Sequence, residues 1–161
     1  MAEARGGRIA QINVSPGGVP KMPVASAGVG SLGLQGDRVA HPKVHGGPDR
    51  AVCLYALERI LALQAEGHAV FPGALGENLT LSGLDWERVA PGDRFEAGDV
   101  VLEVSKFTAP CSTTAPFVGG DMTRIHHDHS PGWSRVYARV LREGTVRVGM
   151  DVVHRPGPGH P

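Results

Sequence analysis

Three short segments carry the residues of this chain that could do chemistry. The first, residues 45–52, contains two consecutive glycines, Gly46 and Gly47, followed closely by Asp49 and Arg50. Glycines allow a backbone to approach a ligand closely because they have no Cβ, and exposed N–H groups in such a turn can bind phosphate-like oxygens. Arg50 adds a planar, permanently charged donor for an oxyanion. The segment indicates an anion site, and an ordinary turn with a solvated arginine is the alternative.

The second segment contains the best candidate for a reactive group, Cys111. It follows Pro110 just after an apolar segment, where a loop residue can point into a cavity. A thiol at such a place could ligate a soft metal, accept a sulfur atom or act as a nucleophile. A purely structural thiol is the alternative. The second cysteine, Cys53, lies inside an apolar run, and this position indicates an inert core residue.

Glu77 and Asn78 form the third segment and follow a glycine at the expected start of a strand. Their side chains could face the mouth of a cavity, where they would offer acceptors and an amide donor. Alternatively, Asn78 could bond the local backbone in a turn that caps the strand. A different group, His126, His127 and His129, resembles a metal cluster, but adjacent loop ligands do not readily converge on one ion. We therefore expect a solvated loop there.

The composition is that of an ordinary globular protein, with 161 residues, 41% hydrophobic and 20% charged. Sixteen basic and sixteen acidic residues cancel, which argues against bulk attraction to nucleic acid or to a membrane surface. No apolar run is long enough to span a bilayer, and the N-terminus has no apolar signal-peptide core. Two cysteines are too few for a disulfide framework. These features predict a cytoplasmic protein.

The elements that must position these residues are mostly strands joined by tight turns. Alternating apolar residues predict strands at 9–14 and 100–107, and a continuous apolar run predicts a buried strand at 51–55. One substantial helix is expected over residues 56–66, with Gly67 as its C-terminal cap. Its apolar stripe is expected to consist of Leu57, Ile60, Leu61 and Gln64.

The C-terminal part of the chain predicts a second set of strands and loops. Residues 134–148 indicate two strands joined into a hairpin by a turn at residues 143–145. Residues 118–132 are rich in polar residues, glycine and histidine, and predict a long surface loop. The whole pattern predicts a mainly β domain over residues 1–154, most simply a barrel. A disordered tail rich in proline and glycine is expected at residues 155–161.

Taken in chain order, these segments resemble the MOSC domains, the C-terminal domain type of molybdenum-cofactor sulfurases. The matching segments are Gly17-Gly18-Val19-Pro20-Lys21, Gly33-Leu34-Gln35-Gly36-Asp37, His45-Gly46-Gly47-Pro48-Asp49-Arg50-Ala51-Val52, Gly76-Glu77-Asn78-Leu79, Pro91-Gly92-Asp93, Pro110-Cys111 and Tyr137-Ala138-Arg139-Val140-Leu141. The third of these is the most distinctive. Any single match would be weak, and the ordered set covers nearly the whole chain.

The resemblance implies a MOSC-like β-barrel with one main inserted helix and a pocket for molybdenum cofactor (molybdenum and a pterin). In such proteins the cysteine that matches Cys111 is the proposed metal ligand or sulfur carrier, so Cys111 is the catalytic and metal-binding candidate here. The family is also associated with pyridoxal phosphate binding. The residues implied to bind the cofactor are Lys21, His45, Gly46, Gly47, Asp49, Arg50, Glu77 and Asn78.

Three functions are compatible with this pattern. The first is a molybdenum-dependent oxidoreductase that reduces N-hydroxylated substrates. It would need an external electron-donor protein, because the chain lacks both the companion domain of two-domain relatives and ferredoxin-like cysteine spacing. The second is a module without turnover that delivers cofactor, or that receives sulfur from a desulfurase as a persulfide on Cys111. The third is a thiol hydrolase in which His45 would act as the base for Cys111.

Overall fold

The computed structural model of this protein describes residues 3–38 and 46–158. The strands are β1 (Arg5–Val14), β2 (Met22–Val24), β3 (Ser26–Gly30), β4 (Gly33–Leu34), β5 (Val52–Ala56), β6 (Leu79–Ser82), β7 (Arg94–Ala97), β8 (Val100–Phe107), β9 (Val136–Arg142), β10 (Gly144–Arg147) and β11 (Asp151–Arg155). The α-helix of the described residues is α1 (Leu57–Ala65), between β5 and β6. Short 3₁₀ turns occupy Pro48–Arg50, Trp86–Arg88, Ala115–Val118 and Met122–Ile125.

Seven of the strands close into a barrel. They follow the order β11-β7-β8-β9-β5-β6-β1, and β1 pairs again with β11 to complete the ring. The β5–β6 pair is parallel, so the chain needs a crossover between them, and α1 lies in that connection. β2 continues the sheet beyond β1, whereas β3, β4 and β10 form a separate small sheet. The predicted mainly β barrel with one main inserted helix is therefore confirmed.

The predicted strands are also found at the predicted places. In β8, Leu102 and Val104 are buried while Glu103 and Ser105 lie towards solvent, as the alternation of the sequence requires. β5 is buried along its whole length, and other strands pair with both of its edges. This central position of β5 places its residues beside the ends of β6 and β9. The site described below is built at that junction.

α1 ends where predicted, but the side chains that it buries differ in part from the predicted apolar stripe. Ile60 and Leu63 are buried against the barrel, whereas Leu61 is 52% exposed and Gln64 is also exposed. The predicted apolar stripe was therefore right at Ile60 and wrong at Leu61 and Gln64, because the helix turns Ile60 and Leu63, spaced three residues apart, towards the sheet. The helix stops where Gly67 adopts a φ of 97° and donates its N–H to the carbonyl of Gln64 at 2.9 Å.

Replacing Gly67 with alanine should destabilise the fold by about 1 kcal/mol, because an L-residue is strained in the left-handed region that this cap requires. No atom lies within 4 Å of a Cβ added at Gly67, so the cost is conformational. Gly6→Ala is the matched control, since its added Cβ also meets nothing and its φ is ordinary. Urea unfolding should show a change below about 0.5 kcal/mol for the control. Equal stability of the two variants would contradict this account of the cap.

One expectation for the C-terminal part was wrong and another was incomplete. The predicted hairpin does not form, because both edges of β9 are occupied by β5 and β8, and β10 instead pairs with β3. Residues 118–132 form a largely exposed loop, as predicted, but two apolar side chains anchor it. Val118 and Ile125 are fully buried, and Arg124 lies 3.7 Å over the ring of Trp133. These apolar anchors hold the segment against the barrel, and its polar composition gives no sign of this packing.

The segment expected to be a disordered tail is partly packed in the structure. β11 extends to Arg155, whose guanidinium contacts Glu96 at 2.6 Å. The N–H of Gly157 donates to the buried carboxylate of Asp93 at 2.7 Å. Residues 159–161 lie outside the described residues. No helix in the described part of the chain has the length and apolar character needed to cross a membrane.

Candidate functional site

The three segments singled out from the sequence meet around one cavity of about 660 Å³. Its walls come from the β1–β2 turn, the glycine turn before β5, the loop after β8 and the strands β5 and β9. The described residues that line it are Pro16, Gly17, Gly18, Val19, Lys21, Leu32, Asp37, Arg38, Gly46, Gly47, Arg50, Ala51, Cys53, Leu75, Gly76, Asn78, Cys111, Thr113, Thr114, Arg135 and Tyr137. Four of these are basic and one is acidic, so the cavity is cationic although the chain as a whole is neutral.

Cys111 lies in the wall of the cavity on the loop that follows β8. Its Sγ is 2.8 Å from the hydroxyl of Thr113, and the hydroxyl of Thr114 donates to its carbonyl at 2.8 Å. Partial burial raises the pKa of the Cys111 thiol, but hydrogen bonds from Thr113 and Thr114 and the charge of Arg135 outweigh that effect. The pKa therefore lies below its usual value. The loop thus holds a thiol that ionises readily, as a metal ligand or nucleophile requires.

Cys53 is buried, as its apolar setting predicts, but it also faces the cavity. It pairs in register with Tyr137 across β5 and β9, and its Sγ lies 3.9 Å from the hydroxyl of Thr108. Burial raises the pKa of the Cys53 thiol, and this effect exceeds the opposing charge of Arg135. The two cysteines therefore line one cavity with opposite pKa shifts, and Cys111 is the one suited to chemistry.

Asn78 lines the cavity and also ties together three parts of the chain. Its Oδ1 accepts the N–H of Cys53 at 2.9 Å, and its Nδ2 donates to Asn13 O at 3.3 Å and to Asp37 Oδ2 at 2.9 Å. Asp37 in turn binds Nζ of Lys21, at 2.8 Å through Oδ1 and 2.6 Å through Oδ2. The Lys21 ammonium is therefore already paired within the wall, which makes it a structural cation as well as a lining residue.

Glu77 is not brought to the cavity surface. It is fully buried beneath it, and its Oε2 accepts a hydrogen bond from Thr80 at 3.0 Å. Burial raises the pKa of the Glu77 carboxyl above its ordinary value. Of the Glu77–Asn78 pair, only Asn78 is placed to contact a ligand.

The glycine turn contributes some of its predicted residues to the cavity and not others. Gly46, Gly47 and Arg50 line it, and Gly47 has a φ of 97°, which its missing Cβ permits. Asp49 points away from it, with its side chain 73% exposed and its Oδ1 3.1 Å from Nε of Arg139. His45 lies outside the described residues, so the pairing of Cys111 with His45 stays a prediction.

Arg135 is the site residue that the sequence reasoning missed. It precedes β9 directly, is only 5% exposed, and donates from Nη1 to the carbonyl of Leu75 at 2.5 Å. Its Nε and Nη2 are buried and have no hydrogen-bond partner among the described residues. Buried N–H groups without a hydrogen-bond partner are costly, so these two nitrogens are candidates for contact with a ligand. The only sequence signal is an arginine placed between Trp133 and the apolar start of β9.

The histidine group after β8 is arranged by ring packing. His127 stacks on Phe107 with ring centroids 3.6 Å apart, and His126 meets the edge of His129 at 5.2 Å. A search of the described residues found no group of three or more histidine, cysteine, aspartate or glutamate side chains arranged to hold a metal. Nothing in this arrangement joins the histidines to the cavity.

Residues 41–153 match the MOSC domain family, and with the barrel and cavity described above this shows that the chain belongs to that family. Among its relatives, it is 43% identical over 84 residues to "Protein YiiM" of Escherichia coli K12, a match that covers 50% of this chain and 38% of that protein. It is 35% identical over 120 residues to the uncharacterized protein YflK of Bacillus subtilis, a match that covers 74% of this chain and 54% of that protein.

A further relative is a protein named "Reductase" from Gibberella moniliformis, which is 32% identical over 137 residues, covering 80% of this chain and 24% of that protein. The chain thus spans between 24% and 54% of these three relatives. Among solved structures, YiiM of Geobacillus stearothermophilus superposes with a TM-score of 0.74 at 31% identity, over 92% of this chain and 74% of that one. The YuaD protein of B. subtilis superposes with a TM-score of 0.73 at 17% identity, over 96% of this chain and 99% of that one. At this identity, the likeness supports the fold alone.

Proposed function

We propose that this protein binds molybdenum cofactor in the cavity, with Cys111 as the metal ligand, and reduces N-hydroxylated substrates. The observation that carries the proposal is that one cationic cavity holds a thiol of lowered pKa and a buried guanidinium, two of whose nitrogens have no hydrogen-bond partner among the described residues. The relative named "Reductase" supports a redox role, although this chain spans 24% of it. Support for the cofactor itself comes from family membership and from the fit of the residues.

The residues present fit such a group. A thiolate is a soft ligand that suits a transition metal, and a cavity of about 660 Å³ falls within the usual size range of ligand sites. Gly46 and Gly47 leave their backbone open to a phosphate, and Arg50 stands beside them in the same wall. Cys111 would hold the metal, and the glycine turn with Arg50 would hold the phosphate end.

The chain's own residues provide the binding and the orientation. Thr113 and Thr114 fix the loop and favour the thiolate form of Cys111. The Lys21–Asp37–Asn78 network keeps the opposite wall rigid because each member is hydrogen-bonded within it. When bound, the cofactor supplies the two-electron chemistry, in which the N-hydroxyl oxygen leaves as water and an electron-donor protein provides the two electrons.

Metal analysis of protein purified from a cofactor-producing host tests the proposal. Wild type should contain molybdenum, and Cys111→Ser should lose at least about tenfold of it, since even outer-shell changes cost that much in metal affinity. Cys53→Ser is the matched control, because it alters the other cysteine of the same cavity and should leave the metal content unchanged. Molybdenum retained in Cys111→Ser, or absent from wild type, would overturn the proposal.

A sulfur carrier is the second candidate, and the lowered pKa of the partly exposed Cys111 favours it. In that case, the Cys111 thiolate attacks the outer sulfur of a desulfurase persulfide and releases the desulfurase thiolate. Mass spectrometry would then show one added sulfur on wild type and none on Cys111→Ser. Sulfur uptake in wild type that contains no molybdenum would replace the first candidate with this one.

A further inference from the structure

The unpartnered atoms of Arg135 lie on a single edge of its guanidinium. Nη1 is used by the carbonyl of Leu75, whereas Nε and Nη2 have no hydrogen-bond partner among the described residues. The N–H bonds of Nε and Nη2 run parallel, and their spacing matches the two oxygens of a carboxylate or similar oxyanion. The bond to Leu75 fixes the plane of the group, so this edge is already oriented before any ligand arrives.

Among the described residues, no acidic side chain of the cavity forms an ion pair with this edge. Asp37, the acidic lining residue among those described, accepts hydrogen bonds from Lys21, Asn78 and the N–H of Ser15. Glu77 is buried beside the cavity, and its charge interacts with that of Arg135, but the two side chains form no ion pair. A buried cation with no anion in contact is unfavourable, and an external anion would relieve that cost.

The positive charge of Arg135 also acts on the thiol of Cys111. It lowers the pKa of both Cys111 and Cys53, and the same charge acts on the buried hydroxyl of Tyr137. Arg135, Cys53 and Cys111 all line the cavity, so an anion held by Arg135 would share it with both thiols. The glycine turn with Arg50 provides a separate donor set for a phosphate.

We propose that the Nε–Nη2 edge of Arg135 binds the carboxylate or comparable oxyanion of a small substrate beside Cys111. This inference rests on the proposed function only in treating the anion as a substrate, because the anion site itself needs no cofactor. An oxyanion could also come from the phosphate of the cofactor. In either case, two oxygens of the anion would accept hydrogen bonds from Nε and Nη2 of Arg135. The experiment below distinguishes a substrate anion from the cofactor phosphate.

The first arm uses protein without cofactor and compares the alkylation of Cys111 by iodoacetate and by iodoacetamide. Both reagents attack the same thiolate, so their rate ratio cancels any change in its pKa and reports the charge met by the reagent. Arg135→Met should lower the iodoacetate-to-iodoacetamide ratio by about tenfold or more, within the range by which charged clefts change encounter rates. Arg142→Met, which removes an exposed arginine of β9, should leave the ratio unchanged.

The second arm tests the two-nitrogen edge in the same protein. Benzoate should protect Cys111 from iodoacetamide in wild type, whereas benzamide, its neutral counterpart, should not. Arg135→Lys keeps the charge but loses the planar two-nitrogen edge. It should therefore keep most of the iodoacetate-to-iodoacetamide rate ratio, while the protection of Cys111 by benzoate should weaken by at least about tenfold. A wild-type ratio unaffected by Arg135→Met in folded protein, or equal protection by benzoate and benzamide, would overturn the site.

The third arm uses cofactor-loaded protein. If the anion is a substrate, Arg135→Met should retain its molybdenum and should lose kcat/KM for an N-hydroxylated substrate bearing a carboxylate more than for its neutral analogue. Loss of molybdenum in Arg135→Met would instead assign the edge to the cofactor phosphate and overturn the substrate assignment. Wild type without molybdenum would remove the proposed function, while the first two arms would still decide whether the anion site exists.

Discussion

Iodoacetamide should alkylate Cys111 at least about a hundredfold faster than Cys53 in the folded protein at neutral pH, which corresponds to about 2.8 kcal/mol. The thiolate is the reacting form, and the pKa of Cys111 is lowered while that of Cys53 is raised. At any pH below both values, Cys111 therefore has the larger ionised fraction. Cys53 is in addition only 6% exposed, so reagent reaches it poorly. Timed labelling followed by peptide mass spectrometry gives both rates.

The same labelling in denaturant is the control, because unfolding should bring the two rates together. Raising the pH should increase the Cys111 rate and then level it off at a pH below that of an ordinary thiol. Thr113→Val removes the hydroxyl beside the sulfur and should shift that levelling to higher pH. Equal labelling of both cysteines in the folded state would contradict the assignment of Cys111 as the reactive thiol.

Replacing Lys21 with methionine should cost about 3–5 kcal/mol of the free energy of unfolding, the range seen when one partner of a buried ion pair is removed. The Lys21 and Asp37 side chains are 7% and 8% exposed, and their closest N–O distance is 2.6 Å. Methionine keeps the apolar length of the side chain but leaves the Asp37 carboxylate buried without its cation. Urea unfolding monitored by fluorescence measures the loss.

Lys106→Met is the matched control for this change. Lys106 is half-buried on β8 and its ammonium lies 5.9 Å from the ring of Tyr137, so its loss should cost less than about 1 kcal/mol. Adding Asp37→Asn to Lys21→Met removes the stranded charge and should recover part of the stability. A loss below about 1 kcal/mol for Lys21→Met alone would show that the pair does not support the cavity wall.

The individual strands and the helix could be predicted because their signals are local. Alternation marks β8, a continuous apolar run marks β5, and Gly67 marks the end of α1. The pairing of β9 and β10 could not be predicted in this way. A tight turn between two strands favours a hairpin locally, but the occupation of both edges of β9 is decided by strands far away in sequence.

The residues of the candidate site fall into the same two groups, those with a local sequence signal and those whose role depends on tertiary contacts. Cys111, Asn78 and the glycine turn were found because their residue types and order are distinctive. Arg135 could not be found, since arginine is common and its importance comes from burial and from two unpaired nitrogens. The pairing of Lys21 with Asp37 is likewise a tertiary property, and it changes what Lys21 can offer a ligand.

The ring of strands closes through β1 and β11, the first and last strands of the described residues. During synthesis, residues 5–8 of β1 leave the ribosome long before their partners at residues 151–154 exist. An unpaired strand edge can pair with other chains, and pairing between distant strands forms slowly. The barrel can therefore be completed only after translation of β11, and a chain truncated before that strand should be prone to self-association.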